Sequence, residues 1–206
     1  MPKNNSRPAA GRIALPALFA ALCAAGAFIS LPLPGNPVPL VAQNLLVVLS
    51  GLLLGPLSGA LAVALFLLLG ALGFPVFSGG RGGIALFAGP TGGYLAGYLA
   101  GAFIAGLLSR PPLGRSPARG GRGLGVSILG SAAGFLTILA CGALRLKFLN
   151  NVSWSRAAGL GILPFLPGDG LKCALAALLA WKLRPFADRL LGRNAGARPA
   201  EQGGKR

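Results

Sequence analysis

Two opposite charges stand three residues apart where the last long apolar segment of this 206-residue chain begins, in the stretch 166–172, LPGDGLK. Asp169 alone could cap a helix by accepting free backbone N–H groups. Lys172 is not explained by capping, because a cation in the first helical turn opposes the helix dipole. At a spacing of three the side chains share a helix face. The pair is either a structural ion pair or the floor of a ligand site, and we favour the ligand site.

The chemistry open to this pair is recognition rather than catalysis. A helix N-terminus with an added ammonium suits an oxyanion or carbonyl, and a carboxylate accepts N–H donors. The sequence has no His, no Walker motif and no nucleophile set, and its three cysteines (Cys23, Cys141 and Cys173) lack metal or disulfide spacing. We therefore predict no catalytic residue, no metal and no cofactor, and we expect any energy that the protein uses to come from a partner or a gradient.

Arg81 is a second candidate, because it stands among glycines in Ser78-Gly79-Gly80-Arg81-Gly82-Gly83. Glycines let the backbone fold tightly around a ligand, and a guanidinium can hold a carboxylate through two parallel hydrogen bonds. The alternative is a solvated Arg in a flexible loop.

Uncharged polar groups complete the candidates. Gln43 and Asn44 are amides in an apolar run, where interhelical hydrogen bonding is as reasonable as ligand contact. Tyr94, Tyr98 and Trp154 fit an interfacial aromatic belt. The topology derived below puts five polar residues toward the external face: Gln43, Arg81, Tyr94, Asp169 and Lys172.

The elements that position these residues are membrane helices. Of the residues, 54% are hydrophobic and 11% charged, with a mean hydropathy of +0.72, whereas soluble domains carry about 25% charged residues. No charged residue occurs from Ile13 to Gly80, which is more chain than one crossing of a ~30 Å hydrocarbon core needs. A cleavable signal peptide is the weaker alternative for the N-terminus, because the run 13–33 is as long as a full span.

We predict an all-α membrane protein with six transmembrane helices, at about 12–33, 39–54, 57–74, 90–108, 124–145 and 165–183. Gly55-Pro56 supplies the break between the second and third. The predicted organisation is a basic cytoplasmic N-terminus (1–11), a six-helix substrate-binding domain (12–184) with an Arg-rich cytoplasmic linker (109–123), and a basic cytoplasmic tail (185–206) that is disordered at its end.

The net charge of +16 supports this topology rather than nucleic-acid binding. Basic residues gather in the N-terminus, the linker and the tail, which is the positive-inside pattern. Six crossings place all three on the cytoplasmic side, with N-in and C-in ends. Arg145, Lys147 and Arg156 oppose the pattern, because they fall in a predicted external loop.

Small residues recur at four-residue spacing, a pattern that lets helix backbones approach closely. The glycines of this pattern are predicted to pack inside the bundle: Gly51, Gly55, Gly59, Gly89, Gly93, Gly97, Gly101, Gly130 and Gly134. The first helix carries alanines instead, and these could pack internally or form a docking surface for another membrane subunit: Ala17, Ala21 and Ala25 on one line, Ala20 and Ala24 on the next.

An ordered series of motifs resembles the BioY family of biotin transporters from about helix one to helix six. These are Asn36-Pro37-Val38-Pro39-Leu40 with Gln43, Gly51-Leu52-Leu53-Leu54-Gly55-Pro56, Gly73-Phe74-Pro75-Val76-Phe77-Ser78-Gly79-Gly80, Gly89-Pro90-Thr91-Gly92-Gly93-Tyr94, and Leu166-Pro167-Gly168-Asp169 with Lys172. Only the tails and the Arg-rich linker fall outside it.

The resemblance implies a six-helix substrate-binding (S) component that captures biotin from outside and works with a transmembrane coupling subunit and a pair of cytoplasmic ABC-type ATPases in the bacterial inner membrane. It implies a biotin site of Asp169, Lys172 and Arg81, with Gln43 and Tyr94 in less defined contact roles. Asp169 would accept the ureido N–H groups, and Lys172 with Arg81 would hold the ureido oxygen or the carboxylate. The alanines of helix one would contact the coupling subunit.

Two alternatives stay open from the residues alone. One is an S component for another vitamin, such as thiamine or riboflavin. The other is a membrane-embedded enzyme or assembly factor with no transported ligand. Whether the chain works alone, as an oligomer or with an energising module is also open.

Overall fold

The computed structural model describes residues 7–109 and 121–191. The rest of the predicted N-terminus, linker and tail lies outside the described residues. The helices are α1 (Arg7–Gly26), α2 (Gln43–Leu54), α3 (Pro56–Ala71), α4 (Ala85–Ala88), α5 (Gly92–Leu108), α6 (Gly121–Asn150), α7 (Trp154–Gly161) and α8 (Leu166–Leu190). Strand β1 (Ser30–Leu31) pairs antiparallel with β2 (Leu40–Val41) between α1 and α2.

The longer helices alternate in direction, so the described bundle has two distinct ends. At the upper end, as we name it, α2, α5 and α8 begin, and the last residue of α1, Gly26, packs against Gln43. At the lower end α2 and α5 finish, and Gly106 of α5 packs against Pro56, the first residue of α3. The alternation brings the beginnings of three helices together, and those beginnings carry the polar candidates.

The first helix was predicted to span 12–33, and the predicted end at residue 33 is wrong. Helix α1 stops at Gly26, and the segment that follows contains the short β1–β2 ribbon. Residues 32–39 read PLPGNPVP, and four prolines cannot supply the backbone N–H groups that a helix needs. For the same reason α2 begins at Gln43 rather than at 39.

Other boundaries also differ from prediction. Helices α6 and α8 continue to Asn150 and Leu190, past the predicted ends at 145 and 183, and the short helices α4 and α7 were not predicted. Within the described residues one helix, Gly123–Asn150, is long and apolar enough to cross a membrane by itself. A second qualifies if α7 and α8, bent by 56°, count as one span. Helices α2, α3 and α5 are shorter than predicted, at 12, 16 and 17 residues.

The outside of the bundle is apolar, as a lipid-facing surface requires. Large exposed hydrophobic side chains lie on α3, α5, α6 and α8, among them Leu57, Leu68, Phe103, Leu136 and Leu175. Soluble monomers rarely expose so much contiguous apolar surface. The fold is therefore that of a helical membrane protein.

Glycines hold the helices at backbone contact, as their spacing predicted. A Cβ added at Gly51 would overlap the Ala102 carbonyl oxygen of α5, and one at Gly59 would lie 2.6 Å from Gly51 Cα. Gly93, Gly97, Gly101, Gly130 and Gly134 join α5 to its neighbours in the same way. Gly55 contributes differently, because it links α2 to α3 with a φ of +92° and its backbone lies against Gly106 of α5, whereas Gly89 lies beyond the end of α4 and makes no such contact.

We expect Gly51→Ala to destabilise the bundle by about 1–3 kcal/mol, the usual cost of overpacking a filled interface. The measurement is the melting temperature of detergent-purified protein. Gly125→Ala is the matched control, because this helical glycine of α6 has nothing within 4 Å of an added Cβ. Equal melting temperatures for the two variants would contradict the packing role of Gly51.

Candidate functional site

An open cavity of about 590 Å³, a volume that includes its mouth, lies at the upper end of the bundle. The walls combine apolar and aromatic side chains with a few polar groups. The lining residues are Val38, Pro39, Val41, Gln43, Asn44, Phe77, Ser78, Arg81, Leu86, Thr91, Tyr94, Leu95, Tyr98, Ile138, Leu139, Phe165 and Asp169.

The polar floor is a hydrogen-bonded triangle of Asp169, Lys172 and Asn44. Lys172 Nζ lies 2.8 Å from Asp169 Oδ1 and 3.1 Å from Asn44 Oδ1, and it also donates to the Val41 carbonyl oxygen at 2.7 Å. The Asn44 amide donates in turn to Asp169 Oδ1 at 2.9 Å. The triangle therefore joins α8 to the start of α2 and to β2.

The capping role considered for Asp169 is wrong. The N-cap position of α8 is Phe165, and no side chain caps this helix end. The Asp169 N–H already bonds to the Phe165 carbonyl oxygen. The carboxylate is buried, with 4% of its surface exposed, and its charge is compensated by Lys172 across the triangle.

The two charges face in different directions. All three N–H groups of the Lys172 ammonium have protein acceptors, and Lys172 is not part of the cavity lining. Asp169 does line the cavity, and both hydrogen bonds to its carboxylate end on Oδ1. Within residues 13–109 and 123–191, nothing donates to Oδ2, so this oxygen can accept a hydrogen bond from a ligand.

Gln43 makes the hydrogen bonds between segments that its sequence context allowed, and it also lines the cavity. Its side-chain amide donates to the carbonyl oxygens of Cys23 at 3.0 Å and Val76 at 3.1 Å, which ties α1 to the segment after α3. The side chain is buried and also lines the cavity. In the described structure its Oε1 accepts no hydrogen bond, so a second acceptor remains beside Asp169.

Arg81 lies in a tight turn at the mouth of the cavity, as the glycines around it predicted. The backbones of Phe77 and Arg81 exchange hydrogen bonds of 2.8 and 3.2 Å, and Gly79 and Gly80 between them have φ of +71° and +69°. Only glycine adopts such angles at little cost. The exposed guanidinium donates through Nε to the Ser78 carbonyl oxygen at 3.0 Å. Its terminal N–H groups make no hydrogen bond to any described residue.

Tyr94 belongs to the cavity wall rather than to an exposed belt. Its hydroxyl donates to the Gly161 carbonyl oxygen at 2.8 Å, and its ring lies 5.9 Å from that of Phe165. The ring also covers Gly142, where an added Cβ would overlap it. Because its hydroxyl is committed to α7, Tyr94 offers a ligand mainly an aromatic surface.

Two residues that line the cavity, Asn44 and Tyr98, were not among the predicted site residues. For Asn44, interhelical bonding and ligand contact were equally reasonable from the sequence, and only the fold shows that its partners are Asp169 and Lys172. Tyr98 was placed in the aromatic belt, but it is 5% exposed, lines the cavity, and has no hydrogen-bond partner for its hydroxyl among the described residues. Its spacing of four from Tyr94 was the available signal, because it puts both rings on one face of α5.

The proteins most informative for comparison are biotin transporters. The model of the BioY family matches residues 1–189. The chain belongs to the BioY family. The biotin transporter BioY of Rhizobium etli is 39% identical over 168 residues, covering 81% of this chain and 89% of that protein. The probable biotin transporter BioY of Pyrococcus horikoshii is 42% identical over 175 residues, covering 85% and 97%.

A solved structure agrees with this BioY assignment. The crystal structure of the S-component for biotin from an ECF-type ABC transporter superposes with a TM-score of 0.77 at 29% identity, covering 90% of this chain and 95% of that one. The fold of this BioY-family chain is thus the S-component fold.

We expect Lys172→Met to lower the melting temperature more than the double substitution Asp169→Asn with Lys172→Met. The single change leaves a buried carboxylate without its counter-charge, which typically costs about 3–5 kcal/mol, whereas the double change removes both charges. Thermal unfolding in detergent measures both variants. Equal or lower stability of the double variant would show that the unpaired Asp169 carboxylate is not the cause of the loss.

Proposed function

We propose that this chain is a transporter subunit, not an enzyme, that captures biotin in the upper cavity. The observation that carries the proposal is the accepting oxygen of Asp169, held by Lys172 and Asn44 beneath an apolar and aromatic wall, with Arg81 at the mouth. Biotin has the same order of groups: a ureido ring with two N–H donors, an apolar bicyclic body and a carboxylate at the end of a chain. The relatives named above, which are called biotin transporters, support the same ligand.

The unpaired polar atoms of the cavity suit the ureido group. Asp169 Oδ2 and Gln43 Oε1 are acceptors for its two N–H groups, and the Tyr98 hydroxyl is a donor for its carbonyl oxygen. Lys172 acts on the ligand through Asp169, because its own N–H groups are committed to the protein. Arg81 takes the carboxylate, since its terminal N–H groups point to no described acceptor.

The membrane arrangement that we propose has six spans, formed by α1, α2, α3, α5, α6 and α8 with their flanking segments. The alternating helix directions put the start of α1 and the end of α8 at the same, lower end. The positive-inside pattern makes that end cytoplasmic, so the cavity opens outward. We propose the bacterial inner membrane as the location, and a coupling subunit with ABC-type ATPases as the energising module, because this sequence carries no Walker motif for ATP.

The coupling contact falls on one of the two alanine lines of α1. Ala17, Ala21 and Ala25 are exposed, whereas Ala20 is buried and Ala24 is half-buried against the bundle. A row of small residues lets a partner helix approach closely. We propose that the exposed row, Ala17, Ala21 and Ala25, contacts the coupling subunit, with Ala20 and Ala24 beneath it.

We expect Asp169→Asn to weaken biotin binding by at least about 100-fold, because it replaces a buried charged acceptor by a weaker one and disturbs the triangle. Tyr98→Phe should weaken it by about fivefold, the value of one neutral hydrogen bond. Equilibrium binding of labelled biotin to detergent-purified protein measures both. Unlabelled thiamine and riboflavin serve as competitors, and displacement by either would favour the other-vitamin alternative.

The matched control is Asp188→Asn, the same chemical change on α8 about 28 Å away by helical rise. It should leave the biotin affinity unchanged. Melting temperatures of all variants separate loss of the site from loss of the fold. Wild-type affinity in a folded Asp169→Asn protein would contradict the site assignment.

We expect Ala21→Trp to abolish co-purification with the coupling subunit while biotin affinity stays the same, because an indole on the exposed row prevents close helix approach. Ala140→Trp on α6 is the control, since Ala140 is also an exposed alanine but on another helix. Pull-down from membranes that contain the coupling subunit and ATPases measures the effect. Retention of the complex by the Ala21→Trp protein would place the contact elsewhere.

A further inference from the structure

Four basic side chains besides Lys172 lie at the upper end, and only one of them, Arg81, has a role in the proposed binding site. They are Arg81, Arg145, Lys147 and Arg156. The positive-inside pattern does not explain them, because they lie at the end of the bundle that faces away from the cytoplasm in the proposed topology. The presence of these basic residues at the external end therefore needs an explanation other than membrane topology.

Arg81 lines the cavity, and the other three cations lie on or against elements that adjoin its lining residues. Arg145 donates to the carbonyl oxygen of Ala88, the last residue of α4, and Leu86 of that short helix lines the cavity. Lys147 lies 4.6 Å from the ring of Trp154, the first residue of α7. Arg156 is exposed on the same helix. Phe165, which follows α7, lines the cavity on that side.

Their charge is not compensated locally. In the ranges 13–109 and 123–191 the acids are Asp169 and Asp188, and Asp169 is paired with Lys172. Asp188 lies near the opposite end of α8. The four cations make no ion pair with any described residue, so the upper end of the described bundle carries four positive charges that no described acid offsets.

We propose that these charges form an electrostatic funnel that speeds the arrival of anionic biotin at the cavity, an inference that rests on the proposed function. The carboxylate of biotin is ionised at neutral pH. A mouth lined by one sign of charge above low-dielectric walls raises the association rate of an opposite charge, by about 10-fold to 1,000-fold in known cases, and salt screens the effect. Arg81 holds the carboxylate after arrival, whereas Arg145, Lys147 and Arg156 act at a distance and leave the dissociation rate unchanged.

The experiment is a stopped-flow measurement of the biotin association and dissociation rates for protein in micelles of a zwitterionic detergent. The rates are measured at ionic strengths of about 0.01 and 0.15 M, between which the screening length falls from about 30 to 8 Å. We expect association to slow by about fivefold with salt in the wild type. Arg156→Gln should slow it by about twofold at low salt, and Arg156→Glu by about fourfold, with dissociation unchanged. The Arg156 side chain makes no hydrogen bond to any described residue, so these changes remove charge with little structural loss.

Two controls isolate the mechanism. Arg189→Gln removes an exposed cation about 30 Å along α8 from Asp169 and should leave association unchanged. An uncharged carboxamide derivative of biotin should associate at a rate that neither salt nor Arg156→Glu alters. A salt effect of equal size on the carboxamide would overturn the funnel.

The outcomes separate this inference from the proposed function. If biotin binds but associates at the same rate in the Arg156 variants, the funnel is wrong and the biotin site stands. If biotin does not bind at all, the proposed function fails first. The upper cations could instead hold anionic lipid headgroups, in which case Arg156→Glu would reduce binding to anionic vesicles without changing biotin association, and the funnel would again be overturned.

Discussion

The structure depends above all on one constraint, which is that the charges of Asp169 and Lys172 must be held together in surroundings of low dielectric. Isolated charges in such surroundings are costly, and the pair tolerates burial because the two charges compensate each other and every N–H group of Lys172 has an acceptor. Lys172 has acceptors from three places in the chain, Val41, Asn44 and Asp169. Segments far apart in sequence must therefore meet at one point, and the alternating helices bring them there.

The same constraint explains why Lys172 and Asp169 have different roles. An ammonium with three protein acceptors has nothing left to donate, while a carboxylate bonded on one oxygen keeps the other. The cation then acts as an internal counter-charge, and the anion is presented to the cavity with a fixed orientation. Asn44 is suited to complete the triangle because its amide can accept from Lys172 and donate to Asp169 at once.

Much of this could be predicted from the sequence, for identifiable physical reasons. The membrane class followed from uncharged length, and the importance of Asp169 and Lys172 followed from the cost of charge in apolar segments. The tight turn at Arg81 followed from its glycines. Helix ends were less predictable. The uncharged, largely apolar run continues through the prolines of 32–39, so the sequence did not indicate that α1 ends at Gly26. The two lining residues that were not predicted as site residues, Asn44 and Tyr98, carry no charge, and the role of an uncharged polar group can be inferred only when its partners are known.

The glycine contacts also bear on how the bundle can move. At the α2–α3–α5 contacts around Gly51, Gly59 and Gly106, backbone meets backbone or small atoms, with no layer of flexible side chains between the helices. Helices in such close contact resist tilting apart, because no side chain can rearrange to fill the gap. Their contact surfaces lack large side chains, so they are smooth along the helix axis. Sliding along the seam is then the motion that costs least. A change of shape at the upper cavity would therefore reach the lower end as a small slide of these helices past one another.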